Sequence, residues 1–116
     1  MNKFGETLRD LRVAQERGLR ETAVAIGISP TYLSRIERGK ERPPRPEVIK
    51  DLAKYLAADP DVLFRLSAST DPDIVNYLHA RPEMMQMLRS LMDSDVPPAT
   101  IEKITVVVEE MLCQAR

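Results

Sequence analysis

Between Ser29 and Lys40 the sequence reads SPTYLSRIERGK, in which a few apolar residues are set among hydroxyls and arginines. An arginine guanidinium is a planar fork of N–H donors without an acceptor, suited to holding a group that offers two acceptors side by side. Hydroxyls such as those of Thr31, Tyr32 and Ser34 donate or accept single hydrogen bonds. Arg38, Lys40, Arg42 and Arg45 follow closely, a concentration of positive charge of the kind that phosphates attract. Over residues 1–65 there are 13 Lys and Arg against 10 Asp and Glu, and over 66–116 there are 4 against 8. The formal charge of −1 therefore hides a basic half, where a polyanion would sit, and an acidic half.

Covalent chemistry finds no comparable footing. His79 has no second imidazole with which to share a metal, and Cys113 is the only thiol and lacks an adjacent activating base. Glu109 and Glu110 are neighbours, so a helix points them in different directions and they make a poor acid–base pair. No glycine-rich loop is available to cradle a phosphate. The expectation is a protein without catalytic residues, metal or cofactor.

The elements that must position the basic residues are helical. With 116 residues and 43% hydrophobic content the chain can bury one ordinary core, and 4% aromatics with no tryptophan leave Leu, Ile, Val, Ala and Met to fill it. KFGETLRDLRVAQERG places Phe4, Leu8, Leu11 and Val13 or Gln15 near helical spacing, with an end near Gly18. LRETAVAIG sets Leu19, Ala23 and Ile26 on one face, and Gly27 closes it as a residue able to take positive φ. Ser29 as cap and Pro30 in the first turn begin a third helix with Leu33 and Ile36 inward, ended by Gly39. Pro43, Pro44 and Pro46 interrupt the chain before a fourth helix carrying Val48, Ile49, Leu52 and Leu56. Asp59 caps a fifth with Val62, Leu63 and Leu66 inward. No apolar run is long enough to span a bilayer, the N-terminus lacks the apolar region of a signal peptide, and a lone cysteine suits a reducing compartment. A cytoplasmic location is expected.

Two short helices meeting across a tight turn need a small residue where their backbones approach, a turn residue free to take positive φ, and apolar residues that lock the second helix on the first. Ala23, Gly27, Ile28, Leu33 and Ile36 meet those needs in that order, a helix-turn-helix pattern. Over residues 4–66 the sequence resembles the Cro/C1-type, or Xre-family, DNA-binding domain, through LRDLR, Ala23 with Gly27, ISPTYLSRIERGK and PRPEVIKDLAKYLAADPDVLF. It departs from the family in carrying Glu16, Arg17 and Gly18 before the second helix, Leu19 in place of a glutamine, and Thr22 at an apolar position.

The resemblance implies an all-α fold, with a five-helix lambda-repressor-like DNA-binding domain over residues 1–67, a linker at 68–70 and a helical oligomerisation or regulatory region over 71–116. It implies that Arg12 and Glu37 form a structural pair holding the recognition helix. With Leu33 and Ile36 inward, the residues expected to face DNA bases are Pro30, Thr31, Tyr32, Ser34 and Arg35, Arg35 foremost because its fork matches guanine O6 and N7. Arg17, Arg20, Arg38, Lys40, Arg42 and Arg45 are expected on phosphates, where they set affinity and salt dependence more than sequence choice.

One such domain covers little DNA, and repressors of this kind pair on half-sites about one helical turn apart. The second half has the apolar residues for pairing: Ile74, Leu78, Met84, Met87, Leu88, Leu91, Ile101, Ile104, Val108 and Leu112 recur at helical spacing. They are expected to form a helical hairpin or three-helix bundle that dimerises the protein. The functional expectation is a dimeric repressor that occupies a palindromic operator in double-stranded DNA. Its alternatives are an antitoxin or another regulator whose C-terminal helices bind a protein partner, and a repressor inactivated by a ligand or by proteolysis.

Overall fold

The computed structural model describes residues 3–115. Among them are eight α-helices and no strand: α1 (Lys3–Ala14), α2 (Leu19–Ile26), α3 (Pro30–Glu37), α4 (Pro46–Tyr55), α5 (Pro60–Ser67), α6 (Pro72–Ala80), α7 (Pro82–Ser94) and α8 (Pro98–Gln114). Six of the eight begin with proline, whose fixed φ suits the first turn and whose missing N–H is not needed there. Each helix start after α2 was thus marked in the sequence. Ser29 Oγ accepts from the Tyr32 N–H (3.0 Å) and Asp59 Oδ1 from the Asp61 N–H (2.9 Å), so both expected caps are formed.

The chain divides into two units, one through Asn76 and one from Tyr77. In the first, the helices pack as α1 on α3 and α5, α2 on α3 and α4, and α4 on α5. The core is Phe4, Leu8, Ala23, Leu33, Ile36, Ile49, Leu52, Ala53, Leu56, Leu63 and Phe64, with Leu11, Leu19, Ile26, Ile28, Tyr32, Val48 and Tyr55 packed against it. Each fully buried Leu, Ile or Phe stabilises the fold by roughly 1.5–3 kcal/mol relative to exposure. Three expectations are corrected. Leu66 is exposed at the last turn of α5, and Phe64, next to Leu63, takes the inward place. Val13 is 56% exposed, and the Gln15 side chain serves as a donor, its amide bonding the Leu56 carbonyl that ends α4. Finally, α1 stops at Ala14, well before Gly18.

That early stop has a cause shared by α1 to α5. Glu16 adopts φ 54°, and the same left-handed conformation recurs at Gly27, Gly39, Ala57 and Ala68 after α2 to α5. Each is closed by a longer backbone bond: Arg17 N–H to Arg12 O, Ile28 to Ala23, Lys40 to Arg35, Ala58 to Ala53 and Ser69 to Phe64, at 2.8–3.0 Å. This paired arrangement satisfies carbonyls the helix itself leaves open.

The polar stretch after α5, expected as a linker, lies inside the first unit. Ser67 Oγ bonds the Phe64 carbonyl (3.0 Å) and Ser69 Oγ (2.6 Å), and Lys50 of α4 pairs with Asp71 (3.5 Å) and Asp73. Its polarity completes a helix end and ties the start of α6 to α4. In α6, α7 and α8 no described residue is buried. Within the second unit Arg81 lies over the Tyr77 ring at 4.1 Å, Asp95 turns the chain with φ 46°, and Leu88, Leu91, Met92, Val96 and Ile101 line a shallow apolar hollow. No helix among the described residues is long and apolar enough to cross a membrane.

Candidate nucleic-acid interface

The turn between α2 and α3 sets the angle at which α3 is presented. Ala23, fully buried, receives the Gly27 and Ile28 N–H groups on its carbonyl (2.9 and 3.0 Å), and Gly27 takes φ 84°. A Cβ at Gly27 would meet nothing within 4 Å, so the demand for glycine here is one of backbone conformation. Leu33 and Ile36 then bury one side of α3 completely. Thr22 is 1% exposed and its hydroxyl has no hydrogen-bond partner.

From the other side α3 is held by α1. Arg12 donates from Nε to Glu37 Oε2 (2.7 Å) and from Nη2 to Oε1 (2.9 Å), while its Nη1 donates to the Arg17 carbonyl (2.9 Å). Side-chain exposures of 13% and 4% make this a largely enclosed pair. The hydrogen bond to Glu37 raises the Arg12 pKa above its ordinary value against the opposing effect of burial, so the guanidinium stays charged. One side chain thereby fixes the last turn of α3 and the loop entering α2.

Of the expected base-facing residues, Thr31 and Arg35 are exposed, whereas Pro30, Tyr32 and Ser34 are half-buried. Tyr32 packs against the core and so is less outward than expected. The Ser34 hydroxyl is taken by Arg38 Nε (3.2 Å), which also reaches the Ser34 carbonyl (3.3 Å). Arg35 donates from Nε to Glu41 Oε2 (3.0 Å) and from Nη2 to the Lys40 carbonyl (3.2 Å). Among the expected phosphate residues, Arg17, Arg20, Arg38, Lys40, Arg42 and Arg45 are all exposed. Arg17 lies over the Tyr55 ring at 4.8 Å, and buried Pro44 anchors the loop between Arg42 and Arg45.

Two residues escaped the sequence reading. Arg9 lines a hollow of about 650 Å³ with Glu6, Arg12, Leu19, Ser34, Glu37 and Arg38, which brings a cation of α1 beside the end of α3. The spacing of Arg9 and Arg12, three apart on one helix face, was the available signal. Glu41 gave none, because it meets Arg35 across a turn six residues on. His79 and Cys113 are exposed, and among the described residues no group of three His, Cys, Asp or Glu is placed to hold a metal ion.

Residues 3–66 match the family described as helix-turn-helix domain. Over 56 residues the chain is 45% identical to an uncharacterized HTH-type transcriptional regulator, RghRB, of Bacillus subtilis strain 168, covering 48% of this chain and 40% of that protein. It is 43% identical over 56 residues to the HTH-type transcriptional repressor RghR of the same organism, covering 48% of this chain and 42% of the relative. The matched region thus spans less than half the length of either relative. Two crystal structures of the clp gene regulator ClgR from Corynebacterium glutamicum are similar in fold. One has 31% identity and a TM-score of 0.50 over 58% of this chain and 86% of that one, and the other 26% and 0.52 over 80% and 90%.

Proposed function

The chain belongs to the helix-turn-helix domain family, and from that premise we propose that it is a cytoplasmic, sequence-specific DNA-binding transcriptional regulator, a dimeric repressor that excludes other proteins from a promoter by occupying an operator. The observation that carries the reading is the fixed presentation of α3. It is buried on one side by Leu33 and Ile36, clamped at its end through Glu37 by Arg12, and leaves Thr31 and Arg35 exposed. A helix held in that way can enter a major groove without first being ordered, so little conformational entropy is lost on binding.

The roles divide by chemistry. Arg35 and Thr31 read base edges, with Pro30 offering only apolar contact. Arg38, Lys40, Arg42 and Arg45 hold phosphates after α3, and Arg17 and Arg20 do so at the start of α2, where related domains use a glutamine. Arg9 joins this set from α1. Replacing any one phosphate residue by alanine lowers affinity for all sequences alike and reduces the salt slope by about 1.

Pairing of two copies supplies the second half-site. Ile74, Met87, Ile101, Val108 and Leu112 are exposed, and Leu78, Met84, Leu88, Leu91 and Ile104 are half-buried at most. A second copy of the same helices would remove these apolar side chains from water. The test is selection of bound duplexes from a random pool at moderate salt. Enrichment of an inverted repeat is the expected result; a protein that enriches no sequence is not a sequence-specific regulator, and one that enriches a single half-site does not act as a dimer.

A further inference from the structure

On the reading of α3 as the base-contacting helix, we propose that Glu41 is a specificity-determining residue that positions Arg35, holding one edge of its guanidinium so that only the other edge meets a base. An arginine has two edges able to form a fork: the side edge, from Nε and Nη2, and the outer edge, from Nη1 and Nη2. At Arg35 both bonds lie on the side edge, Nε to Glu41 Oε2 at 3.0 Å and Nη2 to the Lys40 carbonyl at 3.2 Å. Arg12 spends the same edge on Glu37. For Arg35 the carbonyl acceptor is itself fixed to the helix, because the Lys40 N–H donates to the Arg35 carbonyl at 2.8 Å. What remains is the outer edge, with one Nη1 proton and the second Nη2 proton at the spacing that guanine O6 and N7 accept.

The charge at this place needs a reason. Glu41 is the one acidic residue between Arg38 and Arg45, in a loop otherwise carrying Arg38, Lys40, Arg42 and Arg45. A carboxylate there repels phosphate and lowers affinity for every DNA sequence. Folding does not explain it either, since the pair is 47% and 41% exposed and such pairs contribute little to stability. Restricting which edge of Arg35 is offered is a role in which the carboxylate gains importance as water leaves the interface.

The experiment is the same selection from random duplexes, run on the full chain as wild type, Arg35→Ala, Glu41→Ala and Glu41→Gln, with thermal melts to establish equal folding. The wild type is expected to enrich guanine at one position per half-site, and Arg35→Ala to lose that preference alone by about tenfold. Glu41→Ala should weaken it at the same position by about threefold while binding non-specific DNA more tightly, a combination that a merely structural residue does not produce. Glu41→Gln, which keeps an acceptor for Nε–H, should fall between. Unchanged or sharpened guanine preference in Glu41→Ala overturns the proposal, the latter by making the carboxylate a competitor for Arg35. A selected motif indifferent to Arg35→Ala removes the proposal and leaves the regulator standing, whereas a wild type that selects nothing removes both.

Discussion

At the scale of single residues, two buried polar groups stand out among the described residues of the first unit, Thr22 and Glu37, with opposite prospects. The Thr22 hydroxyl is enclosed without a partner, so it forfeits its hydrogen bonds to water and gains none in return. Thr22→Val keeps the shape and removes the hydroxyl. It should stabilise the protein by about 1 kcal/mol and raise Tm by about 4–8 °C, measured by thermal denaturation. Glu37 is answered by Arg12 in a two-bonded, largely enclosed pair, and deleting either partner leaves the other without its counter-charge. Arg12→Met and Glu37→Leu should each cost about 3 kcal/mol in urea denaturation, and the double variant clearly less than their sum. Additive losses would mean that the two side chains stabilise the fold separately.

Helices were legible at their starts and unevenly at their ends, and one physical distinction accounts for this. A proline, or a serine or aspartate before it, announces a first turn because few other positions tolerate or want those residues, as at Ser29–Pro30 and Asp59–Pro60. A glycine announces a left-handed residue after the last turn, as at Gly27 and Gly39. Where Glu16, Ala57 or Ala68 takes the same conformation, the residue type is silent and packing decides, which is why α1 was expected to run on toward Gly18. Left-handed φ costs an L-residue about 1–2 kcal/mol, of which glycine's greater freedom in the unfolded chain returns about 0.5–1. Ala57→Gly and Ala68→Gly should each therefore stabilise by about 0.5–1 kcal/mol, read from the denaturant midpoint at unchanged slope. The site followed the same rule. Arg35 and its neighbours were found by helical spacing, but its bond to Glu41 spans a turn and no periodicity predicts it.

For the molecule as a whole, apolar spacing marked residues 71–116 as helical without separating α6 from α7, and spacing alone does not say against what a face is buried. Within one chain those faces stay open: Met92 is 75% exposed, Met111 63% and Leu112 55%. If a second copy covers them, Val108→Asp or Leu112→Asp should turn a dimer into a monomer at micromolar concentration by light scattering. Operator affinity should then fall by about a hundredfold while the half-site contact survives. A wild-type monomer under those conditions would assign the face to a different protein.

The absence of buried residues in α6, α7 and α8 also bears on how long these helices stay intact. Helices of 13 and 17 residues with little packing of their own are marginal in water, so their backbone amides open far more readily than those of α2 to α4. If a second copy covers them, as proposed above, it does so by mass action. Hydrogen exchange in α7 and α8 should accordingly slow as the protein is concentrated, while the core amides exchange at a rate indifferent to concentration. The order of the second half would then report how much of the protein the cell contains.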